Sequence, residues 1–364
     1  MFLGIDIGGT NIKFGVVDEN YTGEWFVCLH NDSDEVQVNW YSTRYDAFYR
    51  EKNQLTISVP HTHVCDYESV VTEPTCTEQG YTTYTCSVCG ESWISDETSA
   101  YTASVSTWNI ALGDEISAKF YLNVDSRILV PTAKITIDSN TTDVPLIKQA
   151  NGTYAVTVNL AAAQMTENIA IQVVAGEAVS ETMNYTIRQY AQTILNGDYA
   201  DSEKELVKAM LNYGAAAQVY FDYNTSDLAN AGYEITEHTA IPSVETTNMV
   251  SGSTEGITFY GASLVFRSQV AVRFYFNVEG DINDYSFSTG NAPVYKDGMY
   301  YIEVPGINPQ DYDVSVALTV NDSLTINYSP LAYISRMYSG SSNANLTALV
   351  AAMYEYYLAA EAYI

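Results

Sequence analysis

The strongest constraint on how this chain folds is an internal repeat. LVKAMLNYGAAAQVY at 206–220 returns as LVAAMYEYYLAAEAY at 349–363, 143 residues on. The same spacing sets MNYTIRQYAQTIL at 183–195 against INYSPLAYISRMY at 326–338. Upstream, KFYLNV (119–124) answers RFYFNV (273–278), and GTYAVTV (152–158) answers GMYYIEV (298–304). Two copies of one module fill most of the chain, each a strand-rich half followed by a helical half.

The periodicities support that division. STWNIALGDEISAKFYLNV alternates like a half-buried strand pair about its Gly-Asp turn, and TAKITID, TYAVTVNL and NIAIQVVAG keep the period of two. NYTIRQYAQTILNG then switches to helical spacing, with Ile187, Ala191, Ile194 and Leu195 on one face and Gly197 as the stop. In the next helix Ser202 and Glu205 have the spacing of a capping box. Leu206, Met210, Gly214, Ala217 and Phe221 fall on one stripe, its small residues permitting close approach to the sheet or to the first helix. The second copy offers strands in GITFYGASLVF, QVAVRFYFNV, DYSFSTG, MYYIEV, DVSVALTV and LTINY. A short helix follows with Pro330 in its first turn, and a last helix begins near Asn345.

The expected fold class is mainly β with appended helices (α+β). Two homologous β-sandwich-like modules, each followed by a helix pair, accompany a small cysteine-knuckle module. The divisions are a hairpin at 1–21, a β segment or join at 22–60, the cysteine module at 61–104, module A at 105–231, a Thr/Ser/Glu-rich linker at 232–256 and module B at 257–364.

Charge narrows the function. Lys and Arg number 15 against 44 Asp and Glu, a formal net charge of -29, so phosphate backbones are repelled and nucleic acid is not an expected partner. No apolar run is long enough to span a bilayer, and no membrane insertion is expected. The opening MFLGIDIGG lacks a basic start and carries Asp6 within its apolar run, so it does not read as a signal peptide. There is no GxSxG and no HExxH, and acidic pairs are too many to nominate a glycosidase couple.

Four of the five cysteines, Cys65, Cys76, Cys86 and Cys89, lie close together in the chain. CSVCG is a CxxCG knuckle, which presents two thiolates to one metal while its glycine makes the tight turn. Cys76, within a strand pair leading to the knuckle, and Cys65 complete a four-sulfur set, with His63 or His61 of the HTH triplet as the alternative ligand. Such a set makes a closed, structural zinc site; disulfides in an oxidising setting are the other reading.

Two resemblances bear on function. HTH…PTCTEQGYTTYTCSVCG, with the twice-repeated module and its LVKAMLNYGAAAQ phrase, resembles modular surface proteins of gut Firmicutes. It implies an extracellular or cell-surface location in a gram-positive anaerobe and carries no assigned chemistry. MFLGIDIGGTNIKFGVVDENY resembles the start of ROK-family sugar kinases, in which the DxGGT turn meets ATP. That resemblance implies Asp6 near magnesium and Gly8, Gly9 and Thr10 at the phosphates, with Mg-ATP as cofactor and a cytoplasmic location. It covers 21 residues, and the family's second phosphate loop, catalytic Asp and CxCGxxGC motif are missing from the sequence. The expected function is therefore non-catalytic: adhesion, display or contact with a cell-wall glycan, a host glycan or another surface protein. The alternative is an ATP-dependent sugar kinase.

Overall fold

The computed structural model describes residues 65–112, 115–233, 240–244, 249–267 and 269–364, together with the strands between Phe2 and Ser58. The chain divides into two compact units: Met1–Thr72 with Thr82–Asp96, and Glu73–Tyr81 with Glu97–Ile364.

In the first unit, β1 (Phe2–Gly8) pairs antiparallel with β2 (Asn11–Val17), Gly8 opposite Asn11, which is the hairpin expected from GGTN. The sheet does not stop there. β3 (Gly23–Leu29), β4 (Glu35–Ser42) and β5 (Leu55–Ser58) continue it as an antiparallel meander in the order β1-β2-β3-β4-β5. The expected boundary at 21 falls outside the described residues; β2 pairs along its second edge with β3.

The cysteine module contributes a three-stranded sheet, β6 (Tyr67–Thr72), β7 (Gly80–Cys86) and β8 (Ser92–Thr98), with β7 in the centre. Every residue of β6 is exposed, as is all of β8 but one, and only β7 alternates with burial. Cys76 lies in the loop between β6 and β7 rather than in a strand, since GYTTYTC forms one strand and its partners are YESVVT and SWISDET.

Module A opens on β9 (Ala103–Leu112) and β10 (Ile116–Val124). β11 (Thr132–Ile137) and β12 (Asn140–Pro145) form a hairpin, followed by β13 (Ile147–Lys148) and β14 (Tyr154–Leu160). A 3-10 turn at Ala162–Gln164 leads to β15 (Ile169–Ala175), β16 (Ala178–Val179) and β17 (Met183–Tyr185). One sheet runs β13-β14-β10-β9 and the other β12-β11-β15-β16, with β17 also on β15. Two helices follow, α1 (Ile187–Asn196) and α2 (Asp201–Phe221).

Module B repeats this plan with β18 (Val250–Ser251), β19 (Ile257–Phe266), β20 (Val270–Val278), β21 (Val294–Lys296), β22 (Met299–Val304), β23 (Val316–Val320) and β24 (Leu324–Tyr328). It closes on α3 (Pro330–Gly340) and α4 (Ala344–Tyr363). Its sheets run β19-β20-β22-β21 and β18-β24-β23. The first matches β9-β10-β14-β13 strand for strand. Even the bulges agree: the extra residue is Ser106 on β9, where the register slips opposite Tyr121 and Leu122, and Tyr260 on β19, between Phe259 and Gly261.

The copies differ where module A inserts the β11–β12 hairpin. DYSFSTG, expected as a strand, makes only an isolated bridge, Phe287 to Val320, because Ser286 and Ser288 tie irregular backbone to β23 and its turn instead. The last residues of the expected linker belong to module B, since Val250 and Ser251 pair with β24.

Helix ends follow local chemistry. Thr186 caps α1, accepting from the Gln189 N–H at 3.0 Å, while the Gln189 side chain accepts from the Thr186 N–H at 3.0 Å. Ser329 caps α3 ahead of Pro330, and Asn343 caps α4. At α2 the expected Ser202 cap is not used. The helix starts two residues earlier: Ala200 is the extended cap residue and Glu203 reaches back to its N–H at 3.1 Å, with Asp201 and Glu203 complementing the helix dipole. Phe221, placed on the apolar stripe, is 47% exposed because α2 ends there and Asp222 turns into the left-handed region.

The core joins both modules through α2 and α4, which are buried nearly all round. Residues at equivalent positions meet each other. Asn212 donates to Glu355 at 3.1 Å, Tyr213 stacks on Tyr356 with centroids 5.9 Å apart, and Glu115 bridges Gln269. Contacts of a position with its own counterpart are those an approximate two-fold axis between modules A and B produces. Gly214 permits the packing under α2: a Cβ there would sit 2.6 Å from the Met165 sulfur and 3.2 Å from the Ala229 Cβ. Its neighbours are thus the 3-10 turn and the loop after the helix, not the sheet or the first helix.

Candidate metal centre

Three thiols converge beside the β7 end of the small sheet. The Sγ atoms of Cys65, Cys86 and Cys89 lie within 4.8 Å of one another, Cys86 buried and the other two half-buried. The backbone builds this in two steps. Cys86 closes the knuckle, donating its N–H to the Glu91 carbonyl at 2.8 Å and accepting from the Gly90 N–H at 2.8 Å, with Gly90 at φ +76 where a side chain would be strained. Ser87 then fastens the segment carrying Cys65 to the knuckle, since its N–H and Oγ both donate to the Asp66 carbonyl, at 2.8 and 3.0 Å.

The electrostatics favour a cation. The Glu91 backbone N–H favours the Cys89 thiolate, yet burial and the Cys86 and Cys65 sulfurs together hold that thiol above its ordinary range. Tyr67 shares a hydrogen bond with Cys65, and that bond, with burial and the three sulfurs, pushes its hydroxyl up to about 12. A thiol held protonated beside other sulfurs is relieved by a metal ion, which deprotonates it outright. A ring cluster lies against the site: Tyr67 meets Trp93 edge-on at 4.4 Å, and Tyr84 stacks on Trp93 at 5.4 Å.

The candidate residues fare differently. Cys65, Cys86 and Cys89 come together. Cys76 is not in that group; burial raises its thiol, with Asp125 as the nearby charge. Its loop is fixed otherwise, through the Thr75 carbonyl, which accepts from the Tyr101 N–H at 2.8 Å. His61 and His63 lie outside the described residues. Asp6 and Gly8 sit in β1, opposite Lys13 and Asn11, while Gly9 and Thr10 also lie outside the described residues.

No protein-family model, curated protein or solved structure matches this chain. Among the described residues no helix is long and apolar enough to cross a membrane.

One polar centre had no signal in the sequence beyond its place in the GAAAQ phrase. Gln218 is fully buried. Its Nε2 donates to the Asp227 carbonyl at 2.9 Å and to Thr166 Oγ1 at 3.2 Å, while its Oε1 accepts from the Ala229 N–H at 2.8 Å. Every arm of the amide is used, so it pins the loop after α2 to the module. Arg188 adds an ion pair to Asp227 and a 3.1 Å bond to the Leu228 carbonyl.

Proposed function

We propose that this chain is a non-catalytic modular protein of the cell surface or the extracellular space, and that Cys65, Cys86 and Cys89 hold a structural zinc. The observation that carries the zinc reading is the convergence of three thiols in a sheet that has almost no apolar interior. A sheet of this size cannot bury enough surface to hold itself, and a metal supplies what the core lacks. Tetrahedral zinc at about 2.3 Å from each sulfur spaces the sulfurs about 3.8 Å apart, so binding draws this cluster in by about 1 Å. His63, two residues before Cys65, is the fourth ligand in this reading. Three protein thiolates and an imidazole leave no open position, which is the arrangement of a structural rather than a catalytic ion.

The location rests on the resemblance of residues 61–364 to surface proteins. The proposed role is display or contact with a glycan or another surface protein. It draws support from the architecture, in which modules A and B share one core through a buried helix pair.

Metal content and cobalt substitution test the centre. Purified protein is expected to bind one zinc, and its cobalt form to show thiolate-to-metal charge-transfer bands that vanish in Cys86→Ser and persist in Cys76→Ser. Full metal content in Cys86→Ser, or protein whose cysteines are all oxidised as isolated, sinks the zinc reading. ATP turnover that disappears in Asp6→Asn would replace the non-catalytic reading with the sugar-kinase one.

A further inference from the structure

The near two-fold relation between modules A and B makes a comparison possible that neither module offers alone. Each place where the helices of one copy cross the other copy has a counterpart, and one such pair is unequal. On the side where α2 ends, the rings of Tyr220, Phe266 and Tyr333 pack in a row, with ring centroids 6.4 Å apart for Tyr220 and Phe266 and 6.2 Å for Phe266 and Tyr333. On the other side, where α4 ends, the counterpart space is a cavity of about 360 Å³. The ring at Tyr190, counterpart of Tyr333, leans instead on Trp108 at 4.9 Å.

The lining of this cavity has a definite chemistry. Its floor is apolar, from Ile110, Leu206, Met210 and Ala360 among others. Three tyrosines, Tyr190, Tyr356 and Tyr363, supply aromatic surface, and Glu203 supplies a carboxylate. Lys and Arg do not occur in the lining. One oxygen of Glu203 accepts from the Ala200 N–H, leaving the second available to a ligand. At the counterpart position module B has Leu346, so the charge belongs to this cavity and not to the repeat. Aromatic rings around a carboxylate, with apolar depth behind, are what an organic ammonium group selects: the rings attract the cation through their faces and the carboxylate neutralises it. A size near the lower end of small-ligand pockets suits a headgroup with a short body, and the acidic surface concentrates cations near the mouth.

We propose that the cavity between α1, α2 and α4 binds a small organic cation, a quaternary ammonium or alkylamine with a short apolar body. The proposal is independent of the zinc centre and of where the protein resides.

Choline and its uncharged isostere 3,3-dimethylbutan-1-ol are the probes, titrated into the full chain by calorimetry and by NMR of the Ala360 methyl group. The expected result is saturable binding of choline at one site, with the isostere weaker by about tenfold or more, the size of a cation–π and carboxylate contribution. Glu203→Gln, which keeps the helix start, is expected to weaken choline by about tenfold and leave the isostere unchanged. Tyr363→Ala, at an exposed position that folding tolerates, is expected to weaken choline as well. Absence of choline binding, equal affinity for the isostere, or unchanged affinity in Glu203→Gln would each overturn the proposal.

Discussion

Replacing Glu355 with glutamine should make the protein more stable at neutral and alkaline pH, and no more stable in acid. Glu355 is the one charged residue among the buried side chains of the described core, at 8% exposure, and it sits on the helix pair that joins the modules. An amide faces it: Asn212 donates to it at 3.1 Å, and Asn230 orients Asn212 by donating to the Asn212 Oδ1 at 3.2 Å. Glu205 and Lys208 of α2 line the same small recess but are engaged with each other at 2.7 Å. Burial is the larger influence and pushes the carboxyl from 4.5 up to about 7, against the lowering effect of the Asn212 bond.

A carboxyl raised on folding keeps its proton in the native state where the unfolded chain has lost it. Its cost is absent below pH 4.5, grows as pH rises from 4.5 to about 7, and is complete above that. The shift corresponds to about 3 kcal/mol at full ionisation. Glutamine keeps the acceptor for Asn212 and removes the titration. Urea unfolding of wild type and Glu355→Gln, at pH values from 4 to 9, measures the difference. The stability gap should open from near zero at pH 4 to about 2–3 kcal/mol at pH 8.5 in favour of the variant. A gap independent of pH, or a variant less stable at pH 8.5, would refute the reasoning.

Other outcomes follow from the same packing. Tyr213→Phe removes a buried hydroxyl that has no hydrogen-bond partner and should stabilise by about 1 kcal/mol in urea unfolding. Gly214→Ala should destabilise by about 1–3 kcal/mol despite alanine's better helix propensity, because its Cβ meets Met165 at 2.6 Å inside the core. Thr186→Ala should cost about 1 kcal/mol by removing the α1 cap, and Thr186→Ser should restore most of it. Zinc removal by a chelator should speed hydrogen exchange at the amides of Cys86 and Gly90 while the amides of α2 and α4 keep their protection.

Much of the architecture was legible because alternation and helical spacing are themselves consequences of burial. β10 and β20 read as strands since Phe120 and Phe274 each fall on an inward face, and α1 read as a helix since Ile187, Ala191 and Ile194 do. What escaped were features set by partners distant in sequence. DYSFSTG alternates, yet part of its bonding to β23 and the turn after it goes through the side chains of Ser288 and Asn321, so a single bridge forms in place of a ladder. The cap of α2 moved from Ser202 to Ala200 because Glu203 could reach back, a competition that spacing alone does not decide. At the cysteines, the CSVCG knuckle was readable from its local turn. That Cys65 rather than Cys76 joins it depends on Ser87 holding the Asp66 carbonyl, a contact across 21 residues.

The meeting of Asn212 and Tyr213 with their own counterparts at the α2–α4 seam has a genetic consequence. In a pair of separate, identical subunits, whatever residue lies on the axis confronts itself, and a single codon change alters both sides at once. A glutamate at such a place would oppose a second glutamate, and the like charges would drive the halves apart. Once both halves are encoded in one reading frame, that tie is cut. Asn212 and Glu355 can then be amide on one side and carboxylate on the other, and Glu203 can line a cavity where the counterpart position holds Leu346. Fusion thus lets one half specialise while the other continues to hold it in place.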